Sequence, residues 1–381
     1  MNKEEKARKI WKTCFQDTEE EVNFYFTKHF QEAQWKYREK EGSILSSLHA
    51  NPYSVKIRDS VSSYPYLVGV ATLPEHRGQG HMTKLLFEEM LQLRKQGDDF
   101  CFLLPINPMI YRGFGFEYFS GMEEYTFDIS LLTSFPKDSS IKIVELTREN
   151  LKEYWEDWKK IYSIAMLPYS FHEVRDFDSF ENLLEETGLS QGRIYLFYQN
   201  TRPAAYLMMH MEENDIRIRE LLGTNHEAYS AMFYFLKSFQ EYYSQIHISS
   251  PENSHLEFFL ENQCKVEKKF SPYVMGRILN VKKFLQKYQI SAPEITIFVE
   301  DPVLFENTGY YTLSSDISFT QNQVEHYDFQ IGVRELVPLL LGFFDIQDLL
   351  RLGKIKLHSV EHLEELKKIF HKKFNYFHQY W

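Results

Sequence analysis

Cysteine is scarce in this chain: 381 residues carry only Cys14, Cys101 and Cys264. An odd, widely spaced set without a Cys-x-x-Cys pair is neither a disulfide framework nor a zinc site, and no metal is expected. Long apolar runs are missing too. The longest, around Leu336–Phe344, is broken by Pro338 and Gly342 and falls far short of a bilayer span. The first residues, Met1-Asn2-Lys3-Glu4-Glu5-Lys6, run into charge where a signal peptide would carry an apolar stretch. A soluble, cytoplasmic protein with no membrane partner is the expectation. Positive charge is also in deficit, since 43 Lys and Arg against 54 Asp and Glu leave a net charge of −11. Such a chain repels phosphate backbones, which disfavours nucleic-acid binding and is compatible with cationic substrates.

Aromatic side chains are plentiful, at 32 Phe, 25 Tyr and 5 Trp. Any single tyrosine is therefore a weak signal unless its neighbours raise it. The length suggests two or three domains, because single cores stop growing near roughly 250–300 residues.

Hydrophobic spacing predicts helix over residues 4–38, with a cap at Asp17-Thr18, then extended runs at Ile44–His49, Tyr53–Ile57 and Tyr66–Leu73. An amphipathic helix follows at Met82–Lys95, ended by Gly97, and a short apolar strand at Phe100–Leu104. After a polar, turn-rich stretch at Thr133–Ser140 the pattern restarts. A helix at Arg148–Tyr162, strands at Arg193–Tyr198, Ala204–Met211 and Ile216–Leu222, a helix at Ala228–Tyr243 and a strand at Ile246–Ser249 repeat the earlier order, which suggests an internal duplication. A second break is expected near Gln289–Pro293. Beyond it come strands from Ile295 to Phe329 and helices at Gly332–Phe343, Ile346–Leu352 and Val360–Lys372. The expected domains are 1–136, 137–289 and 290–381.

One segment carries chemistry. Val68-Gly69-Val70-Ala71-Thr72-Leu73-Pro74-Glu75-His76-Arg77-Gly78-Gln79-Gly80-His81-Met82 reads as a strand, an Arg-Gly-x-Gly turn and the start of a helix. Glycines at 78 and 80 let the backbone take positive φ and approach a ligand closely. Free N–H groups at the helix start form an anion cradle, to which Arg77 adds positive charge, and a pyrophosphate would fit there. The spacing is neither that of a nucleotide-triphosphate loop nor that of a dinucleotide fingerprint. Downstream, after Phe100–Leu104, stands Pro105-Ile106-Asn107-Pro108-Met109-Ile110-Tyr111-Arg112-Gly113-Phe114-Gly115-Phe116.

Together these segments resemble the GNAT superfamily of acyl-CoA-dependent N-acetyltransferases. The whole chain, including Pro251 and Pro272-Tyr273-Val274-Met275-Gly276-Arg277-Ile278, is similar to the enhanced intracellular survival (Eis) type. That resemblance implies an α/β (α+β) fold of two GNAT-like mixed-sheet domains, the second degenerate, followed by a small sterol-carrier-like α+β domain. It implies acetyl-CoA as cosubstrate, an amine acceptor and a homo-oligomer, a hexamer among relatives. It also implies that backbone groups of Val68, Val70 and Thr72 bind the pantetheine arm and polarise the thioester. Arg77, Gly78, Gln79, Gly80, His81 and Met82 would wrap the pyrophosphate; His81 either touches phosphate or is polar helix surface. Asn107 bonds either the cofactor or the turn backbone. Tyr111 matches the family's general acid, a phenol that protonates the departing thiolate. The Eis type inserts its terminal carboxylate, here Trp381, as base, as a relay through water or as a substrate binder. Two departures stand out: Met82 replaces a usual Gly or Ala, and no strand is evident before Ile10.

Asp17 and Glu19 lie where the family's substrate loop would be, as candidates for gripping a cation or as a solvated helix start. In the second unit, Gly223-Thr224-Asn225-His226-Glu227 lacks the second glycine and the arginine, and an acid opens the helix. One acetyl-CoA site per chain is the expectation. Transfer to a primary amine of an aminoglycoside or polyamine leads the functional readings. A binding protein for an apolar ligand or acyl-CoA, and a protein lysine or N-terminal acetyltransferase, are the alternatives.

Overall fold

The structure is a computed structural model describing residues 1–288 and 294–381. The break expected at residues 289–293 lies outside the described residues. Two helices open the chain, α1 (Lys3–Cys14) and α2 (Glu19–Lys28), each started by a capping box, Asn2 with Glu5 and Thr18 with Glu21. The helix expected through residue 38 stops early. Trp35–Lys40 is instead β1, paired antiparallel with β2 (Ser43–Ile57) through a tight turn at Glu41 and Gly42 with φ of 51° and 82°. Alternation decides this: Trp35 and Tyr37 point to one face of the strand and stack at 4.2 Å.

The runs at 44–49 and 53–57 are one strand, β2, which hairpins into β3 (Ser60–Thr72). Pro52 does not break it, because it stands in register with Pro65 and the two donor-less residues share one rung. The register slips between Ser47 and His49, opposite Val68 to Ala71, where Gly69 takes φ of 59°. A β-carbon at Gly69 would lie 2.5 Å from the Trp11 indole. Then follow α3 (His81–Gln96), closed by Gly97 at φ of 100°, β4 (Phe100–Leu103), α4 (Pro108–Arg112) and β5 (Glu117–Asp128).

The middle of the chain forms β6 (Ile141–Leu146), α5 (Leu151–Ala165), β7 (Tyr169–Glu173), α6 (Phe177–Leu189), β8 (Arg193–Gln199), β9 (Arg202–Glu212) and β10 (Asp215–Gly223). It continues through α7 (His226–Lys237), β11 (Gln245–Pro251) and β12 (Glu267–Ile278). The last part holds α8 (Val281–Leu285), β13 (Ile295–Glu300), β14 (Gly309–Leu313), β15 (Ser318–Thr320), β16 (Phe329–Gly332), α9 (Val333–Leu340), α10 (Ile346–Arg351), β17 (Ile355–Leu357), α11 (Leu363–Ile369) and β18 (Phe374–Tyr376).

Two compact units result, each assembled from separate stretches of the chain. The first gathers Met1–Ser120, Ser170–Glu173 and Tyr273–Trp381; the second gathers Gly121–Tyr169 and Val174–Pro272. Pairing explains the first grouping. Residues 171–173 of β7 pair with β2, and residues 275–278 of β12 pair with β4, so pieces from far along the chain complete the N-terminal sheet. A second, five-stranded sheet of order β15-β14-β13-β16-β17 carries the C-terminal part. The second unit is a mainly antiparallel sheet in which β11 joins β10 in parallel. Its core includes Leu207, Ile216, Leu221, Phe233 and Ile246. Both units are mixed α/β, as expected.

Candidate active site

A cavity is built at the end of β3. Val70, Ala71 and Thr72 form its strand wall, His76, Arg77, Gly78 and Gly80 its turn, and His81, Met82 and Thr83 the first turn of α3. Cys14 and Phe15 close it from the end of α1, and Ile106, Ile110 and Tyr111 from the segment after β4. Its volume is about 590 Å³. Gly78 and Gly80 have φ of 74° and 75°, the left-handed region that glycine enters without penalty. A β-carbon at either would meet nothing within 4 Å, so the space above the turn is left for a ligand. Gly80 is also the N-cap of α3, and no side chain caps that helix. Its first N–H groups stay available, with the positive end of the helix behind them.

The rim is electropositive. Desolvation, then the charges of Arg38, His76, Lys84 and Lys40, hold the His81 imidazole below its usual pKa. Arg77 is anchored at the cavity by an Nε bond to the Thr72 carbonyl at 3.2 Å, and the Cys14 thiol approaches the same oxygen at 3.5 Å. These groups suit a pyrophosphate bound by backbone donors and flanked by positive side chains.

Tyr111 sits in the short helix α4, one end of which Asn107 caps by accepting the Met109 N–H at 3.0 Å. Asn107 thus bonds the turn backbone. The Tyr111 ring packs with Leu85, Leu86, Met90, Phe114 and Phe116, and its hydroxyl has no protein partner among the described residues. Burial pushes its pKa up to about 12, so the phenol is protonated throughout the neutral range. A protonated phenol therefore lines the same cavity that the glycine turn opens.

Val68, Gln79, Asn107 and Trp381 fall outside the cavity lining. Val68 is buried in the strand, in register with His49, and Gln79 donates to the Glu75 carbonyl at 3.3 Å. Trp381 occupies a second cluster on the opposite strand neighbour. Tyr53 donates to its main-chain oxygen, Tyr66 donates to the Gln379 carbonyl at 3.1 Å, and the Trp381 and Tyr25 rings lie 6.1 Å apart. The aromatic tail is docked.

Residue-by-residue reading of the sequence missed what surrounds that tail. His49, Asn51 and Tyr53 alternate along β2 and so share one face. His49 is 1% exposed, ringed by Trp11, Tyr25, Phe26 and Phe30, and neither ring nitrogen has a partner among the described residues. Burial drives its pKa down to about 3, so it is neutral. Asn51 donates to Tyr25 Oη at 3.2 Å while its own carbonyl oxygen is unpaired. Buried polar groups are nearly always satisfied, so each unsatisfied one calls for an explanation. The period-two pattern His-x-Asn-x-Tyr was the available signal. Asp17 and Glu19 are already engaged: Trp11 Nε1 donates to Asp17 at 2.6 Å, and Lys12 pairs with Glu19 at 2.6 Å.

In the second unit the corresponding turn is closed. Asn225 accepts the Ala228 N–H at 2.8 Å, capping α7, and the Tyr229 ring stands 3.1 Å from where a β-carbon of Gly223 would be. Among the described residues no group of His, Cys, Asp and Glu is arranged to hold a metal ion, and no helix is long and apolar enough to cross a membrane.

Comparison with known families finds three domain matches along the chain. Residues 2–119 and residues 174–278 each match an acetyltransferase (GNAT) domain, and residues 281–378 match a sterol carrier protein domain. No curated protein sequence matches the chain. Among solved structures, a probable N-acyltransferase of Enterococcus faecalis superposes with a TM-score of 0.87 at 18% identity, over 100% of this chain and 98% of its own. A GCN5-related N-acetyltransferase of Anabaena variabilis gives 0.81 at 17% identity, covering 97% and 95%. Eis1 of Mycobacterium abscessus gives 0.77 at 16% identity, covering 99% and 97%. These structures share the fold. With two GNAT domains in tandem over more than half its length and a sterol-carrier-like domain behind them, the chain belongs to the GNAT acetyltransferases and shares its fold with Eis1.

Proposed function

We propose that the N-terminal site transfers the acetyl group of acetyl-CoA to a primary amine of a small cationic molecule such as an aminoglycoside or polyamine. The observation that carries this reading is the uncapped start of α3, with Gly78, Gly80 and Arg77, opening on a cavity that Tyr111 also lines. In this reading the α3 N–H groups, Arg77 and His81 hold the pyrophosphate, and the β3 backbone from Val68 to Thr72 receives the pantetheine and polarises the thioester carbonyl. The neutral amine attacks that carbon, the C–S bond breaks, and the thiolate takes its proton from Tyr111. The amine's own proton leaves through the terminal carboxylate. A carboxylate near pKa 3.5 is a weak base for an ammonium near 10, so it acts through water or by holding the acceptor. Asp17 and Glu19 are bound elsewhere, so in this reading the Trp381 carboxylate is the acceptor's polar partner.

A screen of amines with acetyl-CoA, followed through free thiol release, tests the reading. Turnover with at least one amine is expected. Acetyl-CoA binding with no thiol release across aminoglycosides, polyamines and peptide lysines would overturn it. A short tag after Trp381 should leave acetyl-CoA affinity intact and remove most turnover; full activity would retire the terminal carboxylate. The Eis resemblance extends the proposal to a cytoplasmic homohexamer, whose mass light scattering measures.

A further inference from the structure

The turn that carries Tyr111 rests on a buried ion pair contributed by distant parts of the chain. Arg277, at the end of β12, is wholly buried; its Nη2 donates to both Asp301 oxygens at 2.9 and 2.8 Å, and Nη1 donates to the Ile278 carbonyl at 3.0 Å. Asp301 follows β13 and also accepts the N–H groups of Val303 and Leu304 and the Asn307 amide, at 3.1, 3.0 and 2.8 Å. The guanidinium lies against the backbone of Gly115. A β-carbon there would stand 3.0 Å from both Cζ and Nε of Arg277, and Gly115 has φ of 86°. That turn is tied to Tyr111, since Phe114 and Phe116 donate their N–H groups to the Tyr111 carbonyl at 2.9 and 3.4 Å, and Gly115 donates to Arg112 at 3.0 Å.

A buried ion pair is a poor way to stabilise a fold, because desolvation consumes most of its Coulomb gain, and apolar residues of equal volume serve as well. What it supplies here is a rigid, planar surface at a fixed height. Arg277 is clamped on one edge by Asp301 and offers its flat face to a residue that has no side chain to hold it off.

We propose that Arg277, held by Asp301, is a positioning residue for Tyr111, so that the sterol-carrier-like segment sets where the proton donor stands in the acetyl-CoA cavity. The proposal rests on the reading of Tyr111 as proton donor. It gives the C-terminal segment a part in catalysis that requires no ligand of its own. It also accounts for the second glycine of the Tyr-x-Gly-x-Gly turn.

The test removes the charges together, in Arg277→Met/Asp301→Asn, to avoid stranding one buried charge. The melting temperature and the acetyl-CoA Kd should stay near wild type. The turnover number should fall about 10-fold or more with little change in the acceptor KM, as expected for a displaced reacting group. Arg277→Lys keeps a positive charge on Asp301 but withdraws the plane, and should give an intermediate kcat; it carries the test if the double variant does not fold. A kcat within two-fold of wild type in the folded variant would overturn the proposal. Tyr111→Phe, measured beside it, separates the two ideas. Lost turnover in Tyr111→Phe with unchanged kcat in the Arg277 variants removes only the positioning role, whereas unchanged turnover in Tyr111→Phe removes the proton donor and the proposal with it.

Discussion

In the first unit β3 runs through Arg77-Gly78-Gln79-Gly80 into α3; in the second, β10 runs through Gly223-Thr224-Asn225 into α7. The two connections have the same design, a strand feeding a helix through a short turn, and they differ in who satisfies the helix's first N–H groups. At α7 the protein does so itself. Asn225 takes the Ala228 N–H, Thr224 donates twice to the Ala204 carbonyl, and Tyr229 covers Gly223. At α3 the N-cap is a glycine with no side chain to offer, so the donors are left for a ligand. A cap contributes about 1 kcal/mol to a helix. The first unit forgoes that stabilisation at the turn for which an anion site is proposed, and the second unit takes it.

That contrast can be broken or sharpened by experiment. The largest effect is expected for Tyr111→Phe, which leaves the first turn intact but removes the proton donor that has no counterpart at the second. Turnover should fall by about 10²–10³-fold while the acetyl-CoA Kd, read by calorimetry, is unchanged. Next comes transplantation of the cap. Gly80→Asn places the second unit's solution in the first, since asparagine tolerates φ of 75° and can accept an α3 N–H. Acetyl-CoA affinity should drop about 10-fold, with the melting temperature the same or higher. Unchanged affinity would show that the free N–H groups do not hold the pyrophosphate.

The pH dependence of binding is a smaller effect. His81 is held below its ordinary pKa in the free protein by desolvation and by its positive neighbours, and a bound diphosphate favours its protonated form. Binding therefore takes up a proton, and acetyl-CoA affinity should weaken as pH rises from about 5 to 8. His81→Gln should flatten that slope; a slope that survives the substitution belongs to another group. The smallest change is expected from the reverse transplant. Asn225→Gly should cost no more than about 1 kcal/mol of stability and leave the calorimetric stoichiometry at one acetyl-CoA per chain, because Glu227 and Tyr229 still oppose a phosphate there. A second binding event would show that the cap alone had closed the site.

Local signals made the donor half of the site readable. Glycine at two positive-φ positions, an arginine before them and a tyrosine in an aromatic-glycine turn all act within a few residues of one another, so their order along the chain conveys their arrangement in space. Element types were legible on the same basis, from α3 with its Gly97 stop to the strands and helix of the second unit. Tertiary pairing was not. Trp35–Lys40 has a mixed pattern that only its hairpin with β2 resolves, and Pro52 reads as a strand breaker until Pro65 is known to face it. The docking of the tail was hidden for the same reason: Tyr53 and Tyr66 are two of 25 tyrosines until the tail lies on them. Arg277 carries no local mark at all, because its meaning lies in Gly115 above it and Asp301 beside it, more than twenty residues away in each direction.

The discontinuity of the first unit bears on how the protein is made. Gly121–Tyr169 and Val174–Pro272 form a compact unit in the interior of the chain, whereas residues 1–120 find their sheet partners in β7, β12 and the segment after residue 273. Contacts that span so many residues are slow to form, and a chain emerging from the ribosome makes its local units first. The second unit can therefore close while the first still waits for its closing strands. During that interval the β2–β3 hairpin has α1, α2 and α3 to cover it but lacks β7 and the residues after 273, so the unit that holds the glycine-turn cavity is also the one with the longer exposure to misassembly during biosynthesis.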